Sequence, residues 1–224
     1  MGGETPPLQR NIMTTIDPIY HITLLRHGES IGNAENRIQG HADYPLSEKG
    51  RAQATALAER WRAEGITFDQ AIASPLLRAR ETAEIVAQTL NIPLEFDPLW
   101  MERNSGKISG ILLDEARALY PEGDFRNPYQ ALAETGEGDW QLYLRAGQAL
   151  FDLLQRPPGK YLIVSHGGTL NMTLYAILGI PPQPNFQGPR FRFENTSFSQ
   201  FRYYQTKHRW RVDVIGDRAH WKEG

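Results

Sequence analysis

The sequence predicts an α/β protein of three layers, with a mainly parallel central sheet flanked by helices, and three observations lead there. Short apolar runs alternate with helical patterns of ten or more residues, the rhythm of β-α-β units. Two of the runs, 22–25 and 161–164, end alike: each leads within two residues to a histidine followed by glycine, as suits a strand that delivers a residue to the carboxyl edge of a parallel sheet. No Pro/Gly/Ser-rich linker divides the 224 residues, so one domain is expected over 19–224 behind a mobile arm at 1–18. Met13 begins a stretch that reads as an ordinary protein start, which makes 1–12 an extension dispensable for folding.

Composition narrows the function classes. With 24 basic against 26 acidic residues the formal charge is -2, so no nucleic-acid partner is expected and any positive field must be local. The absence of cysteine removes disulfides, thiolate metal sites and cysteine nucleophiles, and fits a reducing, cytoplasmic setting. No apolar run reaches the length of about 18 residues that a membrane span requires.

Each element follows from its residues in turn. Ile22 to Arg26 is a strand, and Gly28 permits a tight turn beyond His27. A polar loop then runs through Asn33, Gln39, Gly40 and Asp43 to Ser47, which caps a helix carrying Ala52, Leu57, Ala58 and Trp61 at helical spacing until Gly65. Residues 68–73 form a strand that stops at Ser74-Pro75, where the next helix starts. Arg78 in that helix's first turn opposes the dipole, which is tolerable where an anion binds in front of it; the alternative is a surface arginine paired with Glu81 or Glu84. Residues 93–99 read as a third strand, and 101–106 as a turn carrying one carboxylate, Glu102. Helices are expected at 112–120 and 140–154, with an irregular cap region near 111–140. After the strand at 161–164, an amphipathic helix runs through Leu170, Leu174 and Ile177 to Gly179, and Pro181 prevents its continuation. The tail is β-rich at 191–194, 197–204 and 210–215, the last with Trp210, Val212 and Val214 expected on one face.

The run Leu25-Arg26-His27-Gly28-Glu29-Ser30 with Asn33, Gln39-Gly40, Leu46-Ser47, Gly50 and Gln53-Ala54 resembles the first block of the histidine phosphatase superfamily, also called phosphoglycerate mutase-like. Ser74 to Ala83 resembles its second block, Glu102 with Gly106 and Gly110 its acid/base block, and Val164-Ser165-His166-Gly167-Gly168 its last. The four matches come in the family order and span nearly all of the chain from residue 22 onward. The resemblance implies a phosphoglycerate mutase-like fold and a phosphatase that hydrolyses small organic phosphate monoesters without a metal or cofactor. It implies catalytic His27, Glu102, Arg26, Arg78 and His166, with phosphate held by Arg26, Asn33, Arg78, His166 and the Gly167 amide. Gln39, Gly40 and Glu137 are the implied substrate contacts.

Physical chemistry explains the grouping. Attack on a phosphate dianion requires positive charge around its oxygens beforehand, and the forked donors of arginine match that geometry. His27 is the nucleophile expected in a cysteine-free chain, with its second ring nitrogen donating to a backbone carbonyl to fix the attacking tautomer. Glu102 is expected to protonate the leaving oxygen and then activate water. His21, His41, His208 and His220 match no family position and are expected to be surface or structural residues. Specificity is expected from Leu112, Leu113, Tyr120, Phe125, Arg126, Tyr129 and Trp140. The expected partners are a small phosphate ester and, at most, a second copy of the chain in a homodimer.

The residues also bear on three rival readings. A metal hydrolase lacks two histidines at ligand spacing on one helix. A dead scaffold would be expected to have lost one of the arginines, histidines or the glutamate. A phosphoglycerate mutase is expected to carry a long charged insert after the acid/base block, where only about thirty residues separate Gly110 from Trp140. In the cap region, Gly136-Glu137-Gly138-Asp139 stands where phosphatases of the family often have Gly-Glu-Ser, and Ser109 replaces an acidic residue frequent before Gly110, which leaves substrate preference open.

Overall fold

The computed structural model describes residues 17–121 and 126–221. Its strands are β1 (Ile19–Arg26), β2 (Gln70–Ala73), β3 (Leu94–Phe96), β4 (Lys160–Ser165), β5 (Phe198–Tyr204) and β6 (Arg209–Asp217). Its α-helices are α1 (Ile31–Ala34), α2 (Glu48–Ala63), α3 (Leu77–Leu90), α4 (Leu113–Leu119), α5 (Asp139–Leu154) and α6 (Gly167–Leu178). The arm expected at 1–18 lies almost entirely outside the described residues, as does the start expected at Met13.

The strands form one six-stranded sheet in the order β3-β2-β4-β1-β5-β6. β3, β2, β4 and β1 run parallel, and β5 and β6 add an antiparallel edge. Alternation along the strands sends side chains to two separate cores. Ile22, Leu24, Tyr161 and Ile163 pack with Leu150 and Leu153 of α5 and Leu170, Leu174 and Ile177 of α6. Leu25, Leu162 and Val164 pack with Leu57 and Trp61 of α2 and Ala79, Ala83 and Val86 of α3 on the other face. That division produces the three layers.

The topology brings together what the sequence holds far apart. β1 and β4 are neighbours in register, with Arg26 opposite Ser165, and the His27 amide donates to the Ser165 carbonyl at 3.0 Å. Both histidine-bearing ends therefore emerge side by side at the carboxyl edge.

Three expectations are corrected. Residues 191–194 form no strand; Asn171 of α6 takes up the backbone of Phe191 instead, donating to its carbonyl at 2.7 Å and accepting from its amide at 2.9 Å. Trp210, Val212 and Val214 do not share one face, because the β5–β6 register shifts between Phe198 and Phe201 and turns Val214 to the opposite core from Trp210. The polar loop after β1 contains a short helix, α1, closed by a reciprocal cap between Ser30 and Asn33.

Candidate active site

Arg26, the last residue of β1, His27 beyond it and Arg78 in the first turn of α3 meet above the sheet edge. With Asn33, Gln39, Gly40 and Glu102 they line a cavity of about 260 Å³, completed by Ile38, Arg103, Ser105 and Gly168. His27 is buried, and its Nδ1 lies 2.7 Å from the Gly28 carbonyl. A proton on Nδ1 satisfies that contact and leaves the Nε2 lone pair free, the arrangement expected of an attacking imidazole. The turn bearing it is clamped: the Gly28 amide donates to Thr82 Oγ1 at 3.0 Å, and the Glu29 amide to Gln53 Oε1 at 2.9 Å.

The two arginines put positive charge into the cavity wall. Arg78 is fully buried, donates to the carbonyls of Gly40 and Ala42, and has its pKa pushed down to about 10, first by burial. Arg26 donates to the Phe193 carbonyl at 2.6 Å, and its buried Nε has no protein partner among the described residues. Burial lowers its pKa as well. The surface pairing considered for Arg78 is thus replaced by a buried position in the cavity wall. Asn33 presents a donor: Ser30 and Asn195 engage its Oδ1, which leaves Nδ2 for the cavity. Gln39 accepts from Ser30 Oγ at 2.7 Å.

His166 is fully buried at the N-cap of α6, its ring 5.0 Å from that of His27. Its Nε2 lies 2.8 Å from Ser74 Oγ, and its buried Nδ1 has no protein partner among the described residues. Burial, with Arg78 next, holds both histidines well below the ordinary imidazole pKa, so both are neutral at neutral pH. His166 stands against His27 and does not form the wall of the 260 Å³ cavity, and Gly167 lines an adjoining hollow instead.

Glu102 rests on the N-terminus of α6, accepting from the amides of Gly168 at 3.1 Å, Thr169 at 3.2 Å and its neighbour Arg103 at 2.8 Å. A Cβ on Gly168 would collide with the carboxylate, so glycine there is what admits Glu102 to the helix end. Its own carbonyl accepts from Arg145 Nη2 at 3.1 Å and His41 Nε2 at 2.7 Å, and Arg145 also binds the carbonyls of Leu99 and Met101.

Glu137 is the expected contact that the fold keeps away. Its carboxylate is held bidentately by Arg145 at 2.8 and 2.6 Å, and it lines a separate hollow with His41 and Gln141. It is tied to the Glu102 loop through Arg145, which binds the loop's carbonyls. Among the described residues expected to set specificity, none lines the phosphate cavity. Tyr120 packs with Ile108, Ala116 and Ala133; Tyr129 stacks on Trp140 at 5.4 Å; Phe125 lies outside the described residues; Arg126 reaches a neighbouring hollow's wall, over Phe186. Arg103, Arg145 and Ser105 were missed. Arg145 was detectable, since a charge sits beside Leu142, Ala146 and Ala149 on the buried face of an amphipathic helix.

A three-layer α/β protein with two facing neutral histidines, a buried arginine and a half-buried one at the carboxyl edge of its sheet belongs to the class of enzymes that handle phosphoryl groups. The chain belongs to the histidine phosphatase superfamily, branch 1, whose family model matches residues 22–218. It is 35% identical over 212 residues to the probable phosphoglycerate mutase GpmB of Yersinia pestis, covering 90% of this chain and 95% of that one. Among solved structures it resembles YhfR of Bacillus stearothermophilus, at 30% identity and TM-score 0.74 over 90% of this chain and 98% of the other. It also resembles the mycobacterial glucosyl-3-phosphoglycerate phosphatase in complex with VO3, at 25% identity and TM-score 0.73 over 88% and 99%.

Proposed function

We propose that this chain is a phosphatase that hydrolyses small organic phosphate monoesters through a phosphohistidine on His27, without a metal ion. The observation that carries the reading is the uncharged, tautomer-fixed His27 in one cavity with Arg26, Arg78 and Glu102. In the first step His27 Nε2 attacks phosphorus, the ester P–O bond breaks, and the leaving oxygen takes a proton from Glu102. In the second, the Glu102 carboxylate removes a proton from water, which attacks phosphorus and releases phosphate and free His27. Arg26, Arg78 and Asn33 hold the equatorial oxygens, His166 against the His27 ring and the Gly167 amide beside Arg26 add neutral donors from the side of the adjoining hollow, and Gln39 and Gly40 close the phosphate cavity's wall.

Metal independence draws support from the charge inventory, since arginines stand where a cation would act. Among the described residues no three His, Cys, Asp or Glu are grouped to hold an ion. The same chemistry serves a mutase when a second hydroxyl replaces water, and the GpmB relative is named as a probable one. Hydrolysis is favoured by the short segment between Gly110 and Trp140 and by the likeness to a named phosphatase. A cytoplasmic location is part of the proposal; among the described residues no helix is long and apolar enough to cross a membrane.

A panel of sugar phosphates, phosphoserine, 3-phosphoglycerate and a nucleotide tests the reading by phosphate release with and without EDTA. Release that survives EDTA and is blocked by vanadate is the expected result. Interconversion of 2- and 3-phosphoglycerate without net release would establish the mutase, and loss to EDTA with recovery on zinc would establish a metal site.

A further inference from the structure

Beside the phosphate cavity, and sharing Arg103 and Gly168 with it, lies a larger hollow of about 540 Å³. A phosphoryl group and a three-carbon polyol need no such space; 300–1,000 Å³ is the range that takes most of a drug-sized molecule. Its walls are Met172 and Tyr175 of α6 facing Phe186 and Phe191, with Arg190 at the rim. The outer wall is fastened deliberately. Asn171 pairs with the backbone of Phe191, and one turn further along α6 the Tyr175 hydroxyl donates to the Pro189 carbonyl at 2.9 Å. Two side chains of one helix thus hold the segment 189–191 at a fixed distance, and the space between is the hollow.

Its charge is also uneven. Arg103 and Arg126 share the single carboxylate of the buried Asp139, and Arg192 pairs with Glu194. Arg190 lies over the Phe186 ring at 4.9 Å and pairs with no carboxylate among the described residues. Arg190 thus offers a visitor a guanidinium without a carboxylate partner over an aromatic floor, beside the positive charge that Asp139 leaves uncompensated.

Resting on the phosphatase reading above, we propose that this hollow is the leaving-group site, and that the preferred substrates are phosphate monoesters of bulky alcohols that combine an aromatic or apolar body with a second, peripheral anionic group. Phosphoserine and 3-phosphoglycerate fill only the smaller cavity and are poor substrates.

The test compares propyl, 3-phenylpropyl and 3-(4-carboxyphenyl)propyl phosphates, whose alcohols leave with nearly equal ease, and measures in parallel the binding of the matching phosphonates by calorimetry. The phenyl ring is expected to raise kcat/KM and phosphonate affinity roughly 10 to 100-fold, and the carboxylate to add about 3 to 5-fold. Arg190→Ala should bring the ratio between the charged and uncharged compounds close to one, while Arg190→Lys keeps most of it. Equal affinity for the propyl and phenylpropyl phosphonates overturns the inference, as does an Arg190→Ala loss that is the same with and without the carboxylate. Absence of turnover for all three esters with the expected affinity ratios overturns the phosphatase reading and leaves the hollow's assignment standing.

Discussion

His27 serves the proposed reaction only while it is uncharged, and its surroundings decide that. Burial and the two arginines depress its pKa well below the ordinary value of 6.5, so protonation begins only below that pH. The acid limb of kcat/KM is therefore expected below pH 6.5, and a limb at or above 6.5 would contradict the arrangement. Stability follows the same sign. The unfolded chain binds protons at His27 and His166 near pH 6.5 while the folded chain does not, so stability is fully present above 6.5 and is lost as pH falls towards the depressed folded values. Each histidine contributes a slope of up to about 1.4 kcal/mol per pH unit in that window. Denaturant midpoints between pH 7 and 5 measure it. At Glu102, Glu102→Gln is expected to slow esters with poor leaving groups about 10² to 10⁴-fold and p-nitrophenyl phosphate far less in the first half-reaction. Equal, modest losses for both would make Glu102 a structural acceptor for the α6 amides.

At the scale of elements, the turn after β1 and the first turn of α2 cross with no room between them. A Cβ on Gly50 would overlap the Glu29 carbonyl, and one on Gly28 would meet the Gly50 carbonyl. Gly50→Ala should thus cost about 1–3 kcal/mol in the denaturant midpoint and reduce kcat/KM as well, because relief must move the backbone that carries His27. Gly167→Ala, where the nearest atom is Arg26 Nε at 3.8 Å, is expected to leave stability nearly unchanged. These crossings show what the sequence could and could not reveal. The Ser47 cap and the helices after Ser74-Pro75 and His166 were legible because local residues decide them. The loss of a strand at 191–194 was not, because a side chain from α6 captures that backbone across 20 positions. The face of Val214 was hidden for a similar reason, since a bulge leaves the alternating pattern intact and inverts its meaning.

For the whole molecule, the sheet order places β4 between β2 and β1 and so gathers residues from positions 26 to 168 around one cavity. The residue types at the strand ends could be read from the sequence, whereas their adjacency needs the register of β1 with β4. Neither the removal of Glu137 to Arg145 nor the hollow behind Phe186 was visible, since both depend on how α5 and α6 pack. The proposed reaction turns on a covalent phosphoenzyme on His27, which rapid acid-free quenching with ³²P-labelled substrate, followed by peptide mapping, would reveal. Label approaching one per chain, stable in alkali, lost in acid and located on His27, is the expected result, with Glu102→Gln accumulating it. His27→Ala should carry no label and turn over on the order of 10³-fold or more slowly. Turnover retained in His27→Ala, or label mapped to any other residue, would contradict it.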